Sequence, residues 1–339
     1  MAHFSSLSMA AQSWYYDLLS LLLDEEISDI KGSIIEKKKG NRTYLYDNYR
    51  LGSKTVQKFI GLKTDALLER LSGMNELKEK REIRRKARSS LVKKLRTEKV
   101  LSPDVSTGKV LSALASAGAF RLGGTLVGTN AFRAYELELG VRFNPGDAIG
   151  TMDLDIAGFE RFSIAVDDVA IPDIPTALTS LGYDPAPSLD EASPWRWINH
   201  KDSAVREVEF LTPCFDEAEH VKYLEALQVN AQSLHYLNFL LRDAIDAALL
   251  YRDGILVKVP RPERYAIHKL IVASRRDKRG ILKSRKDLLQ AGILMEILHE
   301  TRPGDLSDAY EEAFDEGSAW RTHIDNSFEK APYLRRFVA

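Results

Sequence analysis

The sequence predicts an α+β protein: a mixed sheet flanked by helices, with an N-terminal helix and β-hairpin arm and a helical C-terminal region. Three observations carry this. Met152, Leu154 and Ile156 alternate with Asp153 and Asp155, the period of a half-buried strand. Residues 205–211 repeat the alternation, with Glu207 and Glu209 on one face and Val208 and Phe210 on the other. Beyond Pro213 the pattern becomes mostly helical. At 339 residues the chain has room for about two or three cores. With 44% hydrophobic and 29% charged residues, it has the balance of a globular protein rather than a disordered one.

Residues 8–31 read as an amphipathic helix with Trp14, Leu18, Leu21 and Leu22 on one side, ready to dock on the body of the protein or on a second subunit. Residues 33–60 read as a small hairpin in which Tyr44, Tyr46 and the stretch near Val56 flank a Gly52-Ser53 turn. Its cations (Lys37, Lys38, Lys39, Arg42, Arg50, Lys54, Lys58) interleave with Tyr44, Tyr46, Tyr49 and Phe59. Such a mixture suits a phosphate backbone with stacked bases, or simply a soluble hairpin. Residues 64–99 read as one long helix or a bent pair. Between Glu76 and Lys99, eleven Lys or Arg stand against four Glu. That run is either a basic rail for nucleic acid or a solvated connector with pairs such as Glu82–Lys86.

Ser102-Pro103-Asp104 opens a helix over about 105–117. An apolar segment ending in Gly123-Gly124-Thr125 and a helix follow, then the Asp153/Asp155 strand. Next come a strand at 159–166, a helix at 174–181 and a strand pair at 195–198 and 205–211. Helices at 217–229 and 235–243 precede a strand at 255–259. Pro260-Arg261-Pro262 opens a helix with Tyr265, His268 and Lys269, and a further helix from about 283 carries Lys286 and Asp287. We therefore expect an arm over 1–63, a basic connecting helix over 64–101 and a catalytic core over 102–215. A mostly helical domain over 216–339 completes the cleft.

The formal charge of −1 carries no argument for nucleic acid, which must rest on local charge. Cys214 stands alone, which rules out an intrachain disulfide and suits the cytoplasm, where the protein is expected. The first residues lack the layout of a signal peptide. The leucine-rich run 18–23 ends at Asp24, far short of a membrane span. That run instead suggests a surface for a partner, a second copy of the chain included.

Chemistry concentrates on the acidic strands. Asp153 and Asp155 project from one face, where neighbouring like charges destabilise a sheet. A divalent cation removes that repulsion, and Mg²⁺ is commonly held by one or two carboxylates plus substrate phosphates. Gly123, Gly124 and Thr125, turning into a helix, offer backbone N–H groups and the positive end of a helix dipole to phosphates. Gly128 and Thr129 are the alternative, ranked lower because they fall inside the helical pattern. Glu209, nearer the apolar strand end than Glu207, is the third acid. Three carboxylates on adjacent strands hold two Mg²⁺ about 3.5–4 Å apart, with Mn²⁺ as the alternative metal. Lys269, one turn beyond Tyr265, suits a triphosphate contact. Arg121 either faces phosphates or forms a structural ion pair. His200, His235, His268 and His299 lack metal-ligand spacing. Trp195 and Trp197 read as core or cleft wall.

In the order Leu122-Gly123-Gly124, Asp153-Leu154-Asp155, Glu209, the chain resembles the DNA polymerase β-like nucleotidyltransferases. Within that superfamily it is most similar to the bacterial proteins that neighbour the abortive-infection toxin enzymes. The resemblance covers roughly residues 105–295. It implies a nucleotidyltransferase-like fold and an NTP, ATP among the candidates, bound with two Mg²⁺ ions. Arg142 and Thr151 resemble the family's Arg and Ser/Thr before the acidic pair, although an Asn-Pro-Gly insert separates them here. Residues 262–269 with Lys269, and Arg285-Lys286-Asp287, resemble its later basic positions, which implies that Lys269 and Lys286 bind nucleotide. Two features depart from the pattern: the gap from Gly124 to Asp153 is long, and the third acid is Glu instead of the commoner Asp.

The leading expectation is Mg²⁺-dependent transfer of an NMP from an NTP to an acceptor hydroxyl, releasing pyrophosphate. An RNA 3′ end, contacted by basic residues 37–99, is the favoured acceptor. A nucleic-acid-binding protein with a relic fold is the second reading. A metal-dependent glycosyltransferase is the third, ranked low because little more than one strand and helix precedes the acidic pair.

Overall fold

The computed structural model describes residues 3–28, 30, 32–51, 54–73, 80–144, 153–158, 169–170, 172–187, 193–201, 205–277 and 280–338. The fold is α+β, as expected. Its central sheet runs in the order β11 (Val221–Leu224), β12 (Val229–Leu234), β10 (Glu207–Pro213), β7 (Asp153–Ala157), β5 (Thr125–Val127). β10 lies parallel to β7 and β5 antiparallel to it. A short strand β9 (Arg196–Ile198) pairs with the first half of β10, and β8 (Asp184–Pro185) pairs with β9. Leu126, Leu154, Ile156, Val208 and Phe210 are fully buried on one side of this sheet.

Residues 217–229, expected to be helical, instead form β11 and the turn into β12. In β12, Val229, Ala231 and Ser233 are buried while their neighbours are half-exposed, so period two wins over helix propensity. The sheet thereby crosses the boundary expected at 215/216. The strand expected at 159–166 lies outside the described residues.

Helix α4 (Val105–Ala117) is capped by Asp104, which accepts the N–H of Thr107 at 2.9 Å, and ends at Gly118 in the left-handed region. Helix α5 (Gly128–Glu138) follows β5 directly. On it, Glu136 accepts the backbone N–H of Leu101 and, at 2.6 Å, that of Phe143. Burial pushes the Glu136 carboxyl up to about 7, against the pull of those N–H groups and of Arg142. The folded state thus keeps a proton that the unfolded chain releases near 4.5. This contribution is complete below that pH and is lost as pH rises to about 7, on the order of 2–3 kcal/mol. Urea unfolding followed from about pH 5 to 8 should show the decline, and Glu136→Gln should flatten it. An unchanged slope in the variant would assign the decline elsewhere.

The C-terminal helices α8 (Pro262–Arg275), α9 (Ile281–Thr301), α10 (Pro303–Asp315) and α11 (Ser318–Lys330) pack with the sheet, α4 and α5 around one continuous core. Ahead of these helices in the chain come α6 (Ile174–Ser180), the short helix α7 (Leu237–Leu241) and the hairpin β13–β14 (Ile245–Leu249, Ile255–Val259).

The N-terminal part corrects one reading and decides two that the sequence left open. The arm is a three-stranded meander, β2 (Ser33–Lys39), β3 (Arg42–Leu51) and β4 (Lys54–Leu62). Its extra turn is Gly40-Asn41, with Gly40 at φ +59°, a two-residue hairpin signal. Tyr44 and Tyr46 are buried beside Phe59, so they hold the arm together and cannot stack on bases. Second, helix α1 (Met9–Ser28) docks on the body: Tyr15, Leu18 and Leu22 are buried against α3 (Arg81–Thr97) and β13. Leu18 and Leu22 of the leucine run are thus taken up by this chain, while Leu19, Leu21 and Leu23 are half-buried. Third, α3 is separate from α2 (Asp65–Ser72), and its cations are partly structural. Arg88 is buried between Glu25 (2.8 Å) and Asp253 (3.0 Å), Arg81 binds Glu25, and Arg96 donates to Leu250 O. Arg85, Lys86 and Lys93 are exposed. Among the described residues, no helix is long and apolar enough to cross a membrane.

Candidate active site

Parallel pairing puts Asp155 opposite Glu209 and Asp153 opposite Glu207. Cross-strand partners share a face, so the carboxylates of Asp155, Glu207 and Glu209 lie on the side away from Leu154 and Val208. Asp155, Glu207 and Glu209 are half-buried; the side chain of Asp153 lies outside the described residues. On the far flank of β10, Arg196 pairs in register with Glu209 and its guanidinium stands 3.8 Å from Glu207. Arg196 was not legible as a site residue, because its adjacency arises from β9 pairing.

The glycine pair sits one short strand earlier than the sequence suggested. Gly123 and Gly124 do not open a helix; they precede β5, and α5 begins at Gly128. The stretch from Gly124 to Gly128 is largely extended, at roughly 3.3 Å per residue about 13 Å long. In β5, Thr125 pairs with Ala157 and Val127 with Asp155, so the acidic array lies at the Gly128 end. Gly128 has φ +64°, and a Cβ placed there would sit 2.4 Å from Asp155 Oδ2. The carboxylate thus rests against bare backbone. The N-cap residue Val127 gives α5 no side-chain cap and its first turn holds no acidic residue, so the positive end of the helix faces Asp155. Gly123 and Thr125 instead line a separate cleft of about 570 Å³ with Arg42, Lys58 and Phe59 of the arm. In that cleft Arg121 donates to Phe59 O at 2.7 Å.

A family model described as nucleotidyltransferase matches residues 105–315, more than half of the chain. The chain belongs to the nucleotidyltransferase family. No curated protein and no solved structure matches it. This nucleotidyltransferase is therefore an enzyme.

Nucleotidyltransferases typically use divalent metals. Among the described residues, no three His, Cys, Asp or Glu side chains converge as a metal site. What the chain does offer is hard oxygen donors, Asp155 and Glu209, adjacent in register on one face, with Asp153 next along β7. That donor set fits Mg²⁺ or Mn²⁺ and not a thiophilic ion.

The remaining expected positions fall in different places. Lys269 is buried, its ammonium 2.6 Å from Asp287 and 5.2 Å from the Tyr265 ring centre. Arg276 holds the other Asp287 oxygen at 2.6 Å. Burial alone would raise the Asp287 carboxyl, but Lys269 and Arg276 hold it below the usual range. Next to them, burial, Lys269 and Arg275 push His268 down to about 3, so it is neutral. Lys286 is half-buried on α9. Arg142 is exposed on β6 (Val141–Phe143), which pairs with β1 (Phe4–Ser6) and not with the acidic sheet. Thr151 lies outside the described residues.

Proposed function

We propose that this nucleotidyltransferase moves an NMP from an NTP to an acceptor hydroxyl and releases pyrophosphate. The observation that carries the reading is the uncapped start of α5 at Gly128, set against Asp155, which is itself in register with Glu209. Asp153, Asp155 and Glu209 would hold Mg²⁺, with Mn²⁺ as the alternative, and the bound metal would offset triphosphate charge and acidify the acceptor hydroxyl. The amides of Gly128 and Thr129, in place of those of Gly123, Gly124 and Thr125, take the triphosphate at the positive end of the helix. Glu209 accepts the acceptor's proton as its oxygen bonds to the α-phosphorus and the bond to the pyrophosphate oxygen breaks. Lys269, bound to Asp287, supports the site from behind and is not a phosphate contact in this arrangement.

RNA is the proposed acceptor class. Support comes from the cleft that Arg42 and Lys58 share with the core, and from the exposed Lys38, Lys39, Arg85, Lys86 and Lys93. Charge carries this part, since Tyr44 and Tyr46 are buried. Kinship with the abortive-infection toxin neighbours, and a cytoplasmic location, belong to the same proposal; they rest on motif order and on the single free cysteine. The test incubates the protein with each labelled NTP, Mg²⁺ or Mn²⁺ and total RNA, beside Asp153→Ala and Asp155→Ala. Label should enter RNA and vanish in both variants, a loss of about 1,000-fold or more. Transfer that survives both substitutions would overturn the assignment; label in a small-molecule or protein fraction would replace only the acceptor.

A further inference from the structure

We propose that Tyr265 is a positioning residue of the transfer site, its hydroxyl fixing the Gly128 turn against which Asp155 rests. This rests on the reading of Asp155 and the start of α5 as the place of nucleotidyl transfer. Tyr265 stands on α8 and is 1% exposed, yet its hydroxyl reaches out of the helical layer and donates to Gly128 O at 2.9 Å. Gly128 is the residue whose left-handed backbone makes room for the Asp155 carboxylate. One bond therefore ties the C-terminal helices to the phosphate turn and, through it, to the carboxylate.

A second group orients that bond. Gln290 of α9 is 1% exposed; its Oε1 lies 3.0 Å from the same hydroxyl, and among the described residues its Nε2 has no hydrogen-bond partner. A phenol has one hydrogen and cannot serve two acceptors. Turning the carboxamide over, a choice its near-symmetric shape leaves open, makes Nε2 the donor to Tyr265 Oη and leaves the phenol hydrogen for Gly128 O. The chain Gln290 to Tyr265 to Gly128 is then directional, with each donor used once at Tyr265. The Tyr265 ring is wedged edge-on to Tyr135 at 5.3 Å and beneath the Lys269 ammonium, so the hydroxyl has little freedom to choose another partner. Such a relay holds a reacting carboxylate and a phosphate-binding turn in one geometry without touching substrate.

Tyr265→Phe keeps every ring contact and deletes only the hydroxyl. We expect kcat to fall about 10- to 100-fold. Affinity for Mn²⁺ with a non-hydrolysable NTP analogue, read by electron paramagnetic resonance, should weaken several-fold, while KM for the acceptor and the thermal midpoint stay close to wild type. Gln290→Met should move kcat in the same direction by less, and provides a second reading if the first variant folds poorly. Asp155→Asn is run beside them. If Asp155→Asn is inactive while Tyr265→Phe and Gln290→Met keep wild-type kcat and Mn²⁺ affinity, Tyr265 only packs and this proposal alone falls. If Asp155→Asn transfers normally, the transfer-site reading falls and takes the proposal with it.

Discussion

Gly128→Ala should lower transfer by about 100-fold or more while costing only about 1–2 kcal/mol of stability. Two effects combine at this one atom. Gly128 holds φ +64°, a region in which an L side chain is strained. The added Cβ would also sit 2.4 Å from Asp155 Oδ2, too close for either atom to stay. The carboxylate must rotate or the turn must open, and either change moves a proposed metal ligand relative to the α5 amides. Displacements of about 1 Å at such centres are enough for large rate losses. Gly124→Ala is the matched control. Its Cβ would meet Ala119 O at 2.7 Å, a backbone clash at the opposite end of β5. That variant should unfold more easily yet keep its turnover per folded molecule. Steady-state kinetics beside urea unfolding separate the two. Gly128→Ala with near wild-type kcat, or Gly124→Ala with intact stability and lost kcat, would return the phosphate turn to Gly123-Gly124.

That contrast also shows what a sequence can and cannot reveal here. The acidic strands were readable because Leu154, Ile156, Val208 and Phe210 are all fully buried, so the alternation is clean. The placement of the turn was not. β5 is only Thr125–Val127, three residues long, and periodicity cannot register a strand so short against the helix that follows. Gly123-Gly124 is the more conspicuous pair, while the glycine that packs on Asp155 is Gly128, distant from it in sequence. Arg88 likewise looked like one cation in a solvated run. Its burial against Glu25 and Asp253 depends on α1 and the β13–β14 turn arriving from far along the chain. Local pattern reports which face is buried; it does not report which charge the fold brings to it.

Asp287→Ala should destabilise the protein by about 3–5 kcal/mol, the largest stability effect expected of one side chain. Asp287 is 1% exposed and is the shared counterion of Lys269 and Arg276, each 2.6 Å away. Removing it leaves the Lys269 ammonium buried with no anion beside it, and buried unpaired charge is far more costly than the pair was beneficial. His268 next to it cannot relieve the imbalance, since it is already neutral. The sign of the pH dependence follows from the lowered carboxyl. With its folded pKa below the ordinary 3.8, Asp287 contributes stability that is fully present above that value and is lost as pH falls through the folded pKa. Urea unfolding at neutral pH therefore sees the whole effect. Lys269→Met combined with Asp287→Leu should recover much of the loss, because apolar side chains of similar volume replace a buried pair at little cost. Kinetics on that double variant then weigh Lys269 directly: retained transfer assigns it to support of the Tyr265 helix, whereas a further collapse of kcat with stability restored would return it to the triphosphate. A loss below about 1 kcal/mol for Asp287→Ala would mean that water reaches the pair, and that the helical layer behind the turn is looser than the geometry indicates.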